Sequence, residues 1–208
     1  MATPQRTTAD ILRAAQETLA TAEQGLQDLT KGPTERKLAG LRNLVVFGRA
    51  VTNVLQNLRS TEAKFDEWYQ TYRQQMECDA LMSFFYNLRS QILKEGLLER
   101  STHVHIRQLR IPEDLERFGP PPPNARAFFI GDNLGGSGWE VELPDGSVDK
   151  YYVQLPFDIG SVSVHFPEAP DSHLGQEVSD SSVEALSGMY IGYLRRVVES
   201  AKRQFEPR

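Results

Sequence analysis

The sequence predicts an α+β protein: an N-terminal antiparallel helical bundle, a small antiparallel β-sheet, and a C-terminal helix that packs back. Three observations predict it. Apolar residues recur at steps of three and four through the first hundred residues and again through the last thirty, which is the signature of helices with one buried face. Between these stretches the apolar period falls to two, the signature of strands. Within that region Asp145-Gly146 is flanked by alternating apolar residues, a strong hairpin signal.

Ile11, Leu12, Ala15, Leu19, Ala22, Leu26 and Leu29 form the stripe of a first helix that Lys31-Gly32-Pro33 ends. Thr34 is placed to cap a second helix, whose stripe runs through Leu38, Leu41, Leu44, Val45, Val51, Val54, Leu55 and Leu58 over about six turns. Phe65, Trp68, Tyr69, Tyr72 and Met76 continue into Ala80, Leu81, Phe84, Phe85, Leu88 and Ile92 with no Gly or Pro between them. A break is expected at Asp79, a suitable N-cap, and a helix end at Gly96, where a left-handed cap follows Lys94. The expected bundle core includes Leu41, Leu44, Leu55, Leu81, Phe84, Leu88 and Ile92.

Val104 and Ile106 alternate with His103, His105 and Arg107, as in a strand with one buried face. The prolines from Pro120 to Pro123 cannot donate backbone hydrogen bonds and favour extended chain, so they read as a stiff linker. Strands follow at Ala127–Ile130, Trp139–Leu143 and Val148–Leu155, and Val162, Val164 and Phe166 alternate with polar partners. Ser181 with Glu184 suggests a capping box opening a last helix striped by Val183, Leu186, Tyr190, Leu194, Val197, Val198 and Ala201. Gly188 and Gly192, four apart, suggest close approach of that helix to a neighbour. The expected division is a helical bundle over residues 1–98 and a sheet region with the last helix over residues 99–208.

Composition narrows function. The single cysteine, Cys78, excludes an internal disulfide and suits a reducing cytoplasm. No apolar run reaches bilayer length, and the N-terminal residues lack a charged-then-apolar leader pattern, so neither a membrane nor a secretory role is expected. A net charge of −5 disfavours nucleic acid as a partner. There is no Gly-x-Ser-x-Gly elbow, no His-Glu-x-x-His, no Walker sequence and no Cys-His pairing, so the common hydrolase and nucleotide-enzyme classes lack support and no cofactor is implied. The glycines of Gly131–Gly138 follow a strand but lead into another strand, so no helix N-terminus faces an anion there.

The one motif of interest is Leu88-Arg89-Ser90-Gln91-Ile92-Leu93-Lys94-Glu95-Gly96 at the end of the fourth helical segment. It resembles the motif of the HEPN families, helical proteins in which an Arg is followed by a His on the final core helix. The resemblance covers at most the first hundred residues. It implies a homodimer, an Arg–His pair from two chains that cleaves RNA without metal, and a place in toxin-antitoxin or phage-defence systems of bacteria. Arg89 matches the arginine, but Lys94 stands where the histidine belongs, and an ordinary lysine, with a pKa of about 10.4, is a poor proton shuttle at neutral pH. His103 and His105 are the alternative imidazoles, a few residues further on. They also form a His-x-His pair that would need a third ligand such as His165, His173 or Glu140 to hold zinc.

The sequence therefore predicts a non-enzymatic interaction or scaffold protein, homodimeric and with a possible protein partner. Two alternatives stand beside it: an endoribonuclease using Arg89 with His103 or His105, and a metal-binding protein built on the histidines of the β region.

Overall fold

A computed structural model describes residues 6–206. The expectation about a leader pattern therefore lies partly outside the described residues. The chain divides into two compact units: the residues up to Leu98 together with those from Glu168 onward, and Glu99–Pro167 between them. The C-terminal segment thus clusters with the bundle, although in chain order it follows the sheet region. The fold is α+β.

In the first unit, α1 (Thr8–Lys31) opens on a full capping box: the Thr7 side chain accepts from the Asp10 N–H, and the Asp10 carboxylate accepts from the Thr7 N–H. Gly32 and Pro33 stop it, with the Gly32 N–H donating to Gln27 and Asp28 carbonyls. α2 (Thr34–Leu55) begins without a side-chain cap. Pro33 occupies the cap position in extended geometry, so Thr34 is already the first helical residue and is not the cap the sequence suggests.

α1 and α2 form a close hairpin whose crossing is set by two glycines. A Cβ on Gly25 would stand 2.6 Å from the Gly40 carbonyl oxygen and 2.7 Å from the Leu44 nitrogen, and a Cβ on Gly40 would stand 2.7 Å from the Gly25 carbonyl. Backbone meets backbone there, so no side chain can be admitted. The stripes of both helices then close over Ile11, Ala15, Leu41, Leu44, Val45 and Val51, each at most 1 % exposed.

A 3₁₀ turn (Gln56–Ser60) leads to α3 (Phe65–Cys78), and α4 (Ala80–Glu95) follows with only Asp79 between them. Asp79 accepts the Met82 N–H at 2.9 Å, so the break and its cap fall where the sequence puts them. α4 ends at Gly96 with φ +67°, its N–H donating to Ile92. The cap fixes the helix register, and that register corrects the core: Leu81, Phe85 and Leu88 are buried, whereas Phe84 and Ile92 are only half-buried. Phe85 turns inward because it lies four residues from Leu81 and three from Leu88 on one helical face.

α5 (Val183–Phe205) packs against α1 and α2, and every residue of its expected stripe is buried. Its cap is Ser182, which accepts from the Ala185 N–H, one residue later than Ser181. Two adjacent serines offer two registers, and Asp180 selects the second by accepting the Ser182 N–H at 2.8 Å. The ring of Tyr190 lies against Gly48 of α2, where a Cβ would come within 2.5 Å of it, and stacks on Phe85 at 4.2 Å and 5°. Gly188 and Gly192 are not approached: a Cβ on either would meet nothing within 4 Å. α5 turns its large residues inward, so these glycines fall on its outer side and make no close packing. α3 is tied to α5 through Ser200, which receives the Tyr72 hydroxyl at 2.7 Å and the Trp68 indole at 3.3 Å.

In the second unit, β1 (Ser101–Ile106) pairs antiparallel with β5 (Gly160–His165), and β2 (Ala125–Ile130), β3 (Ser137–Glu142) and β4 (Val148–Val153) form a second antiparallel sheet. The β3–β4 hairpin turns at Asp145-Gly146, with Gly146 at φ +84° and the Asp145 carboxylate taking the Ser147 N–H at 3.0 Å. The apolar alternation of β1 does not give a buried face. Val104 and Ile106 are 41 % and 42 % exposed, because a two-stranded ladder has too little area to cover them. Pro120–Pro123 joins a 3₁₀ turn (Leu115–Phe118) to β2 inside this unit, so it connects parts of one body. A last ladder of two residues each, β6 (Ser172–His173) and β7 (Gln176–Glu177), belongs to the helical unit.

Phe85→Ala is expected to lower stability by about 3–5 kcal/mol through lost burial and the cavity left behind. Phe84→Ala should cost distinctly less, and urea denaturation of both variants checks the register of α4. Gly40→Ala, which forces apart two backbones, should depress the melting temperature more than Gly188→Ala does, in parallel thermal melts.

Candidate functional site

α4 carries the motif residues, and its two sides differ. Leu81, Met82, Phe85 and Leu88 face the bundle. Tyr86 and Leu93, seven residues apart on the flank of that face, are 54 % and 52 % exposed, and Leu97 just beyond the Gly96 cap is 54 % exposed. Arg89 lies between these sides, half-buried, with its Nε fully buried and without a hydrogen-bond partner among the described residues. Lys94 is exposed in the last turn. Arg42 of α2 reaches the end of the same helix and donates to the Gly96 carbonyl at 3.0 Å.

His103 and His105 stand on β1 of the second unit, whereas Arg89 belongs to the helical unit. Both histidines are exposed, opposite Ser163 and Ser161 of β5. The His103 ring stacks on His165 at 4.5 Å, and His165 Nε2 lies 2.9 Å from the Ser163 hydroxyl. Among the described residues no three His, Cys, Asp or Glu side chains gather into a group that could hold a metal ion. His103, His105 and the suggested third ligands do not form such a group: His165 meets His103 by ring stacking, and His173 belongs to the other unit.

The glycine loop between β2 and β3 is occupied from within. Asp132 Oδ1 accepts the Leu134 and Gly136 N–H groups, both at 2.9 Å, while Oδ2 accepts Lys150 at 2.9 Å and the Tyr152 hydroxyl at 2.7 Å. Burial acts to raise this carboxyl, but the hydrogen bonds from Lys150, Tyr152 and the loop amides outweigh it and hold it below the usual carboxylate range. The donors that would cradle a phosphate already cradle a side chain.

The sequence reading missed two features of the helical unit. The first is a clasp at the α3–α4 junction. Besides capping α4, Asp79 accepts the Leu174 N–H at 2.6 Å and lies 3.0 Å from His173 Nδ1, so it fastens the β6–β7 ladder to a point 95 residues away in sequence. Burial works to raise the Asp79 carboxyl, yet the Leu174 and Met82 amides and His173 together lower it. The Tyr193 ring stands 6.0 Å from His173, edge to face, and its hydroxyl donates to Gln75 at 3.2 Å. Burial, with Tyr72 and Asp79 nearby, pushes that hydroxyl up to about 12. An open cleft of about 860 Å³ adjoins the clasp, lined by Tyr72, Gln75, Cys78, Tyr193, Arg196 and Arg203.

The second is a groove of about 790 Å³ where α2, α3, α4 and α5 converge, with Arg49 of α2 beside Tyr69, Tyr86 and Tyr190. Each of these tyrosines comes from a different helix, so no local pattern could have assembled them. The only signal was the presence of Arg49 within an otherwise apolar helical run.

The family model described as Bacteriophage lambda protein ea47 matches residues 33–115, a stretch that holds α2, α3, α4 and β1. None of the curated proteins and none of the solved structures matches the chain. Among the described residues no helix is long and apolar enough to cross a membrane.

Asp79→Ala leaves the buried Met82 amide and the part-buried Leu174 amide without an acceptor and is expected to cost about 3 kcal/mol at pH 7. Because folding lowers this carboxyl, its contribution is present above the ordinary carboxylate pKa and disappears as pH falls through the lower folded value. Chemical denaturation of wild type and variant from pH 7 to pH 2 should show the two stabilities converging in acid.

Proposed function

We propose that this chain is a non-enzymatic interaction protein, phage-related and active as a homodimer through its helical unit. The observation that carries the reading is the α4 end of the unit, where Tyr86 and Leu93 on the helix and Leu97 just past its Gly96 cap stay more than half exposed beside the face that packs into the bundle. Large apolar side chains left in water beside a packed helical face favour a contact surface there, in a unit whose α1, α2 and α5 stripes are largely buried. The likeness of Leu88–Gly96 to the HEPN motif supports the same helix as the meeting place of two chains. The match of residues 33–115 to the phage lambda ea47 family supports the phage connection, and with the HEPN likeness it favours a role in systems of phage conflict.

The chemistry side of that resemblance is weaker. Lys94 replaces the imidazole of the motif, and the two candidate substitutes, His103 and His105, are carried by the other unit. The reading therefore assigns Arg89 to the contact surface and not to proton transfer.

Light scattering at high micromolar concentration is expected to report a dimer for the wild-type protein and a monomer for Leu93→Glu, with circular dichroism unchanged. A wild-type monomer at that concentration would overturn the dimer. Unstructured RNA incubated with the protein at neutral pH, without metal, is expected to stay intact. Cleavage that disappears in folded Arg89→Ala or His105→Ala would replace this reading with a ribonuclease.

A further inference from the structure

We propose that the Arg49 groove is a binding site for a small organic monocarboxylate with a flat apolar body. This goes beyond the contact surface on α4 and rests on the charges and rings inside the groove.

Three arginines line it, Arg49, Arg59 and Arg73, together with two carboxylates, Asp66 and Glu77. Arg59 is paired with Asp66 at 2.7 Å and Arg73 with Glu77 at 2.8 Å, both pairs solvent-exposed. Arg49 is different. It is half-buried, it donates to the Thr52 hydroxyl, its guanidinium lies 5.4 Å from the centre of the Tyr86 ring, and no carboxylate pairs with it among the described residues. A guanidinium has five N–H donors in a planar fork, and a single hydroxyl acceptor leaves most of that fork unused. The acceptor that matches it is a carboxylate taken by two parallel hydrogen bonds.

The surroundings select among anions. Three arginines against two carboxylates leave an excess of one positive charge, which suits a monoanion and not a polyphosphate. Asp66 and Glu77 stand on the groove walls and would repel further negative charge. Tyr86 offers an exposed ring face, while Met76, Met82 and Leu194 supply apolar lining. A volume of about 790 Å³ lies in the range of small-molecule sites. Burial raises the hydroxyls of both Tyr69 and Tyr190; Arg49 acts against that rise at each, joined at Tyr69 by Arg73 and by hydrogen bonding with Thr52 and Gln56.

The test is a titration of the full chain with benzoate, followed by the amide resonances of α2 and α4, with benzamide and phenyl phosphate run in parallel. Benzoate is expected to give saturable shifts around Arg49 and Tyr86. Benzamide, the neutral isostere, and phenyl phosphate, which carries extra charge, should each bind at least about tenfold more weakly. Arg49→Met should weaken benzoate by about tenfold or more, and Arg36→Gln, remote from the groove, should leave it unchanged. If Arg49→Met fails to fold, Tyr86→Ala serves, with an expected severalfold loss. Repeating the titration with Leu93→Glu separates a groove covered by a second copy from a groove that does not bind. Absence of shifts in both proteins, equal binding of benzamide, equal binding of phenyl phosphate, or full retention in Arg49→Met would each overturn the proposal.

Discussion

The contact on which the helical unit depends is the backbone approach of α1 and α2 at Gly25 and Gly40. Each glycine carbonyl stands within 2.7 Å of where the other's Cβ would be, closer than a side chain could be admitted, so the two helices meet at a distance that glycine alone permits here. Once that hairpin is closed, α2 turns a continuous surface toward α5, and Gly48 receives the ring of Tyr190 on it. Tyr190 in turn stacks on Phe85, which places α4. The positions of three helices thus follow, one contact after another, from small residues on α2.

Two aspartates perform the same physical task in the two units. Asp79 and Asp132 are each largely buried and each collect two backbone amides together with side-chain partners, His173 for Asp79 and Lys150 and Tyr152 for Asp132. In both, hydrogen bonding to the charged form overcomes the cost of burial and lowers the carboxyl. The consequence is local order without a large core. Asp132 folds a six-residue glycine loop onto β4, and Asp79 joins a helix start to a ladder near the other end of the chain. In each case the amides are satisfied from within the fold, so neither loop remains available as an anion site.

Available charge is concentrated elsewhere. Most of the arginines that take part in ion pairs lie on exposed surface, where such pairs contribute little to stability. Within the helical unit Arg49 and Arg89 are half-buried, Arg49 in a groove among aromatic rings and Arg89 on α4 next to Leu88. A half-buried guanidinium carries a desolvation cost that the bundle does not need for its own packing.

What the sequence determined by itself is what depends on near neighbours. The helical and strand periods, the stop at Gly32-Pro33, the cap at Asp79, the left-handed end at Gly96 and the Asp145-Gly146 turn were all legible, because each is decided within one or two turns of chain. Errors of one residue arose where neighbours competed locally: Ser181 against Ser182, Thr34 against Pro33, Phe84 against Phe85. The tertiary structure alone decided which glycines are close contacts, since Gly25 and Gly40 look no different in sequence from Gly188 and Gly192, which touch nothing. It alone brought Arg49 beside tyrosines from three other helices, and it alone put Arg89 in one unit and His103 and His105 in the other. The physical reason is the same throughout: periodicity states that a face must be buried, but only the packing of complementary surfaces decides against what.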